Sequence, residues 1–154
     1  MKILYMLMVV TLFFGFGCKA QSTGSDKEII SVRLKSSGMR HIETLSFEKK
    51  GDSVQVVKET FSSHSEGIIS AAEFEPLATA IAQGKFKNKK RSPWLLDGVD
   101  CSLSFKYMQN GELKSEKYTS GGTCIYKDIF NKAHEIIEPY IGLWKNNAGE
   151  NAKE

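Results

Sequence analysis

The sequence lacks the short motifs that mark the common enzyme classes. It contains no Gly-x-Ser-x-Gly elbow and no glycine-rich dinucleotide fingerprint, and only three of its 154 residues are histidine. With 41% apolar and 25% charged residues, the composition also excludes collagen-like, coiled-coil and disordered chains. Length and composition are those of one globular domain, and they do not specify an activity.

The one long apolar run lies at the start of the sequence. Residues 3–16 follow Lys2 and include a single polar residue, Thr11. A helix of about 15 residues reaches ~22 Å, which is shorter than the ~30 Å hydrocarbon layer of a bilayer. The run is therefore too short for a spanning helix and has the three-part pattern of a secretory signal.

Residues 15–18 have the sequence Gly-Phe-Gly-Cys, which resembles the lipobox of bacterial lipoproteins. The resemblance implies that residues 1–17 are a signal peptide and that Cys18 is acylated. The protein would then be anchored in the cell envelope, on a bacterial membrane facing the periplasm or the exterior. The polar residues 18–27 would form a lipid-anchored flexible tether. Ordinary cleavage after Ala20, which gives a soluble secreted protein, is the alternative.

Two cysteines remain beyond the lipid-bearing one, Cys101 and Cys124. An even number of cysteines in an oxidising compartment predicts a disulfide. A hairpin turn at residues 110–111 would bring Cys101 beside Ser120 and within reach of Cys124. Closing a loop of about 24 residues would stabilise the domain by ~3.5 kcal/mol. The alternative is that Cys124 acts as a nucleophile.

Alternating apolar and polar residues predict strands, and apolar residues recurring every three or four positions predict two helices. Their order along the chain is β-ββα-ββα. We expect one two-layer α+β domain over residues 28–144, with an antiparallel sheet of about five strands and two helices on one face. The polar residues 145–154 are predicted to be a mobile tail.

Two local predictions concern the first hairpin and the segment after it. A turn at Lys50 and Gly51 would set Phe47 opposite Val54. The polar residues 62–66 are predicted to be a connecting loop.

The helix boundaries follow from caps and prolines. Ser70 and Glu73 have the spacing of a capping box, but Pro76 is expected to distort the first turn and leave a regular helix over residues 75–83. The second helix is predicted to run over residues 126–144, with a kink at Pro139.

The closest approach to a metal motif is His134, Glu135 and Glu138. His134 and Glu138 lie one helical turn apart, but the second histidine of a zinc protease motif is missing. Two interpretations of His134 and Glu138 remain open: they form a solvated pair at the boundary of the helix face, or they are a pair of metal ligands.

Weaker candidates are explained equally well by local structure. His41 and Glu43 are predicted to share a strand face, and His64 with Glu66 has the same spacing in the predicted loop. Residues 120–123 (Ser-Gly-Gly-Thr) suit either an anion site or a helix cap at Thr123. Asp97 and Asp100 are too sparse for a calcium loop.

The clearest surface feature is a basic segment in which five of the seven residues 85–91 are cationic. Near a membrane, such a cluster can bind anionic lipid headgroups or an acidic protein, whereas a solvated connector is the simpler alternative. Export argues against nucleic acid as the partner. The candidate binding residues are Lys85, Lys87, Lys89, Lys90, Arg91 and Trp94.

These features favour a non-catalytic envelope lipoprotein that binds or inhibits an exported protein or an envelope component. No catalytic residue, metal or cofactor is assigned. The first alternative is an envelope hydrolase or metal-dependent enzyme that uses the helix face of His134, Glu135 and Glu138. The second is a purely structural surface lipoprotein.

Overall fold

The computed structural model describes residues 27–95 and 97–146, without the side chains of 145 and 146. The predicted signal peptide, Cys18 and most of the tether lie outside the described residues, as do residues 147–154. The strands are β1 (Glu28–Gly38), β2 (His41–Lys50), β3 (Ser53–Thr60), β4 (His64–Ser70), β5 (Asp100–Gln109), β6 (Glu112–Ser120) and β7 (Lys145–Asn146). The helices are α1 (Ala71–Gln83) and α2 (Lys127–Ile137), and a 3-10 turn, Glu138–Tyr140, follows α2.

All strands belong to one antiparallel sheet in the order β6-β5-β1-β2-β3-β4-β7. The α+β class is confirmed, but the expected number of about five strands is wrong, because six long strands are present. The additional strand is β4, which includes residues 64–66 of the predicted loop. Its inward positions are occupied by Ser65, Gly67 and Ile69. Because two of these three residues are small, the alternation of apolar and polar residues that predicts a strand is weak here.

The first hairpin has a different register from the predicted one. Phe47 pairs with Val56, not with Val54, because the two-residue turn falls at Gly51 and Asp52. Gly51 has a φ of 64°, a left-handed conformation that glycine adopts without steric cost. The observed register differs from the predicted one by two residues, so each side chain keeps its predicted face of the sheet.

One face of the sheet carries the apolar core. The rings of Phe47 on β2 and Phe74 on α1 stack with their centroids 5.7 Å apart, and α1 also contacts β3, β4 and α2. Burial of these side chains supplies the main stabilisation of the domain. The fully buried strand residues at the centre are Val32, Leu34, Leu45, Phe47, Val54, Val56 and Leu103.

The capping box of α1 is present, but Pro76 does not distort the helix. Ser70 Oγ accepts a hydrogen bond from the Glu73 amide, and a Glu73 carboxylate oxygen accepts one from the Ser70 amide. The helix is regular from Ala71. Pro76 lies on the exposed side of the helix, where water can satisfy the carbonyl that loses its donor.

The second helix is shorter than predicted. It ends at Ile137, and Pro139 lies in the 3-10 turn that follows, so residues 126–144 are not one kinked helix. The backbone then turns, and the ring of Trp144 stacks on that of Tyr140 at 5.9 Å. Lys145–Asn146, part of the predicted tail, pairs with β4. In the described part of the chain, neither helix combines the length and apolar character needed to cross a membrane.

Gly67 on β4 makes room for the indole of Trp144, since a β-carbon at position 67 would overlap that ring. We expect Gly67→Ala to lower the free energy of unfolding by about 2 kcal/mol, the usual cost of overpacking, and to shift the tryptophan emission. Chemical denaturation measures the first effect. Gly142→Ala is the matched control, because a β-carbon there meets no atom within 4 Å. Equal effects of the two substitutions would contradict the placement of Trp144.

Candidate functional site

The predicted basic segment belongs to residues 84–99, which join α1 to β5 and are called the connector below. Part of the connector is hydrogen bonded to the end of β6. The Lys89 amide donates to the Thr119 carbonyl at 2.8 Å, and the Gly121 amide donates to the Lys89 carbonyl at 2.9 Å. Asn88 Oδ1 accepts from the Thr119 amide at 2.7 Å. The connector therefore extends the sheet by a short parallel bridge at Lys89.

Phe86 fixes the connector by packing its partly buried ring against aromatic side chains of the core. Its ring centroid lies 5.6 to 6.2 Å from those of Tyr118, Phe105 and Tyr126, distances typical of favourable aromatic pairs. The Tyr126 hydroxyl also donates to the Lys87 carbonyl at 2.8 Å. A ring inserted in the core explains why the cations on either side of it are directed to solvent.

A third set of contacts holds the far end of the connector. Arg91 Nη1 lies 3.3 Å from Asp100 Oδ2, and Arg91 Nε donates to the Leu95 carbonyl at 3.2 Å. The other oxygen of Asp100 accepts from the Gly122 amide at 2.7 Å. Gly121 is required here, because a β-carbon at that position would overlap the backbone of Arg91.

All six predicted binding residues lie on the exposed side of this fixed segment. Trp94 is 90% exposed. Four of the five cations make no ion pair within the described residues, while Arg91 is bound to Asp100. The candidate residues are thus all exposed along one segment of the chain, and they are Lys85, Lys87, Lys89, Lys90, Arg91 and Trp94.

The disulfide between Cys101 and Cys124 is confirmed. Their Cα atoms are 5.2 Å apart, and Cys101 lies opposite Ser120 in the sheet, as the hairpin at Asn110 and Gly111 predicts. The bridge joins the start of β5 to the loop that follows β6, beside the far end of the connector. Because Cys124 is oxidised in the bridge, it is not a thiolate nucleophile.

His134 is bound to Glu43, a buried carboxylate on β2. His134 Nε2 lies 3.0 Å from Glu43 Oε2, and Lys58 Nζ lies 3.1 Å from Glu43 Oε1. The hydrogen bond from His134, together with Lys58, lowers the pKa of Glu43 to about 2, although burial raises it. His41 Nε2 also lies 4.0 Å from Glu43 Oε2, in agreement with the predicted shared strand face.

This arrangement is a closed ion-pair cluster. In residues 27–95 and 97–146, no group of three or more His, Cys, Asp or Glu side chains could hold a metal ion. An ionised carboxylate accepts hydrogen bonds only, and each oxygen of Glu43 already has a cationic or N–H partner. In the structure, His134 is therefore paired with Glu43 on β2, whereas the enzyme hypothesis pairs it with Glu138.

The remaining predicted candidates serve local structure. His64 lies on β4, 3.6 Å from Glu59 and 3.9 Å from Glu66. The predicted cap at Thr123 is wrong, because α2 begins three residues after Cys124 with Tyr126 as its N-cap.

One depression of the described residues lies between α1 and the start of β1 and holds about 170 Å³, less than the ~300 Å³ of a small-molecule site. Four others are wider and more open to solvent. The connector is the best-defined candidate site, since it is rigid, cationic and carries an exposed tryptophan. Comparison of the chain with protein-family models, curated proteins and solved structures finds no significant match.

Proposed function

We propose that this chain is a lipid-anchored, non-catalytic protein of the bacterial envelope, and that its connector binds an exported protein with an acidic surface. In this proposal α1 and α2 cover the same apolar face of the sheet. The contacts of Phe74 with Phe47 and of His134 with Glu43 support that arrangement. The connector lies along the β6 edge of this sheet, to which it is hydrogen bonded.

The observation that carries the proposal is a rigid segment that exposes Trp94 beside unpaired cations. Trp and Arg are the side chains most enriched at the centres of protein interfaces. Surface cations steer an acidic partner and set its orientation. Because the connector is already fixed by Phe86 and Asn88, binding would cost little ordering entropy.

The position of the connector also favours a partner away from the anchoring membrane. Lys27, where the tether would join the domain, precedes Glu28, which pairs with Met108 near the end of β5. Lys27 Nζ also lies 3.0 Å from Glu116 Oε1 on β6. Arg91 is bound at the opposite end of β5, at Asp100. Eight residue steps at ~3.3 Å separate these ends by about 26 Å. A chain anchored through Cys18 can therefore present Trp94 on its far side.

Site-specific photo-crosslinking in the native envelope tests this proposal. A benzoylphenylalanine replacing Trp94 in the full chain is expected to yield one discrete adduct with an exported protein. The adduct should be lost in the variant Lys89→Glu with Lys90→Glu, because the steering charge is reversed. It should persist with Lys127→Glu and Lys132→Glu, which change the net charge equally at exposed sites on α2.

The second control is benzoylphenylalanine at Leu113, a 61% exposed residue on β6 near the hairpin turn. Identical adducts from positions 94 and 113 would show non-specific capture and contradict the proposal. Absence of any adduct at position 94 would favour the structural surface lipoprotein instead.

A further inference from the structure

The face of the sheet opposite the core carries four exposed cations that have no carboxylate partner within the described residues: Arg33, Lys35, Lys106 and Lys117. In β2, β3 and β6, the remaining lysines each lie 2.5 to 3.9 Å from a carboxylate oxygen, and these are Lys49, Lys50, Lys58 and Lys114. The four unpaired cations therefore stand out from the general charge pattern of the sheet.

The strand register brings these cations together. Lys117 on β6 lies opposite Ser104 on β5, which lies opposite Arg33 on β1. Strands lie ~4.8 Å apart and alternate residues ~7 Å apart, so Arg33 is about 10 Å from Lys117 and about 7 Å from Lys35 at their Cα atoms. Such spacings are within the ~10 Å screening length at 0.1 M salt. The cations repel one another unless an anion binds.

Hydroxyl side chains occupy the positions between the cations. Ser102 lies opposite both Lys35 and Thr119, and Ser115 lies opposite Lys106. We call nine contiguous outward residues of β1, β5 and β6 the serine-lysine patch: the four cations together with the hydroxyl residues Ser31, Ser102, Ser104, Ser115 and Thr119. These nine residues include no carboxylate, aromatic or aliphatic side chain. The outward positions beyond them, towards the strand ends, include Asp100 at one end and Glu28, Met108 and Leu113 at the other.

The centre of the patch is a shallow depression of about 550 Å³ that extends to β2. Arg33, Lys106 and Lys117 line it together with the carboxylates Glu48 and Glu116, so the charged lining stays net positive. A shallow and open depression suits a chain lying across the strands better than a small molecule buried on all sides.

We propose that the serine-lysine patch binds an acidic polysaccharide. Uronate carboxylates match the cations, and sugar hydroxyls match the serine hydroxyls, which both donate and accept. A single-stranded nucleic acid would require aromatic stacking partners, and an acidic peptide would require apolar pockets for its anchors. The patch has neither. The patch borders the connector at Thr119, whose backbone is hydrogen bonded to Asn88 and Lys89, but the inference does not depend on the partner of Trp94.

Binding of the full mature chain, in neutral detergent, to polygalacturonate tests the inference. The variant Arg33→Gln with Lys117→Gln removes two patch cations. The control Lys127→Gln with Lys132→Gln removes two exposed, unpaired cations from α2. We expect the patch variant to bind about tenfold more weakly and the control to stay within about twofold of the original chain. Neutral dextran should not bind.

Several results would overturn the inference. The first is that the control substitutions weaken binding to polygalacturonate as much as the patch substitutions do. The second is that the original chain does not bind polygalacturonate. The third is that it binds polyglutamate, oligothymidylate or anionic phospholipid vesicles more tightly than polygalacturonate at equal charge concentration. Thermal unfolding verifies that both variants remain folded. The patch variant should also keep the crosslink from position 94, which separates failure of this inference from failure of the proposed connector function.

Discussion

Replacing Cys101 and Cys124 together by serine is expected to lower the free energy of unfolding by about 3.5 kcal/mol. The bridge spans 23 positions of sequence, and loop closure of that length accounts for the magnitude in the chain-entropy model. Typical domains are stable by only ~5 to 15 kcal/mol. Chemical denaturation of the oxidised protein and the double variant measures the difference.

The same substitution should also loosen the far end of the connector. Cys124 follows the loop in which Gly121 lies against Arg91 and Gly122 donates to Asp100. Adding reductant to the original chain should reproduce the loss of stability, and it should have no effect on the double variant. A double variant as stable as the oxidised chain would contradict the structural role of the bridge.

Glu43→Gln is expected to destabilise the domain by about 3 kcal/mol at neutral pH. Glu43 is 5% exposed, and its hydrogen bond from His134, with Lys58 on the other oxygen, holds its pKa at about 2 against an ordinary 4.5. A carboxyl with a lower pKa in the folded chain than in the unfolded one stabilises the fold when ionised. The substitution removes that charge and leaves Lys58 without its carboxylate.

The pH dependence distinguishes this effect from simple loss of packing. The contribution of Glu43 is fully present above about pH 5 and disappears as the pH falls through 2, because the folded carboxyl then binds a proton as well. The difference in stability between the original chain and Glu43→Gln should therefore shrink between pH 5 and pH 2. Glu59→Gln is the control: Glu59 is about half exposed beside His64, and its loss should cost under ~1 kcal/mol. A pH-independent cost of Glu43→Gln would refute the ion-pair explanation.

The sequence supported the parts of the fold that depend on local patterns. The capping box at Ser70 and the turn at Asn110 and Gly111 were predictable because each involves neighbouring residues. The disulfide followed from the second of these turns. β4 was missed because an inward glycine and serine carry little hydrophobic signal. The second helix was overextended because Tyr140 and Trp144 keep a helical spacing although they stack across a turn.

The candidate sites were less predictable, because they depend on contacts between distant segments. The basic residues of the connector were visible as a run, but their rigidity depends on Phe86 and Asn88 meeting β6. Glu43, Lys58 and His134 are brought together from three elements. The inward position of Lys58 could have been read from the alternation of Val54 and Val56, since it continues that pattern. The serine-lysine patch required the register of three strands.

The intact mass of the chain, purified without reductant from the membranes of the cells that make it, tests the proposed envelope location most directly. We expect a polypeptide that begins at an acylated Cys18 and contains the oxidised Cys101 and Cys124 pair. A full-length cytosolic polypeptide with free thiols would contradict the proposed function, and an unacylated chain that begins at Gln21 would refute the lipid anchor.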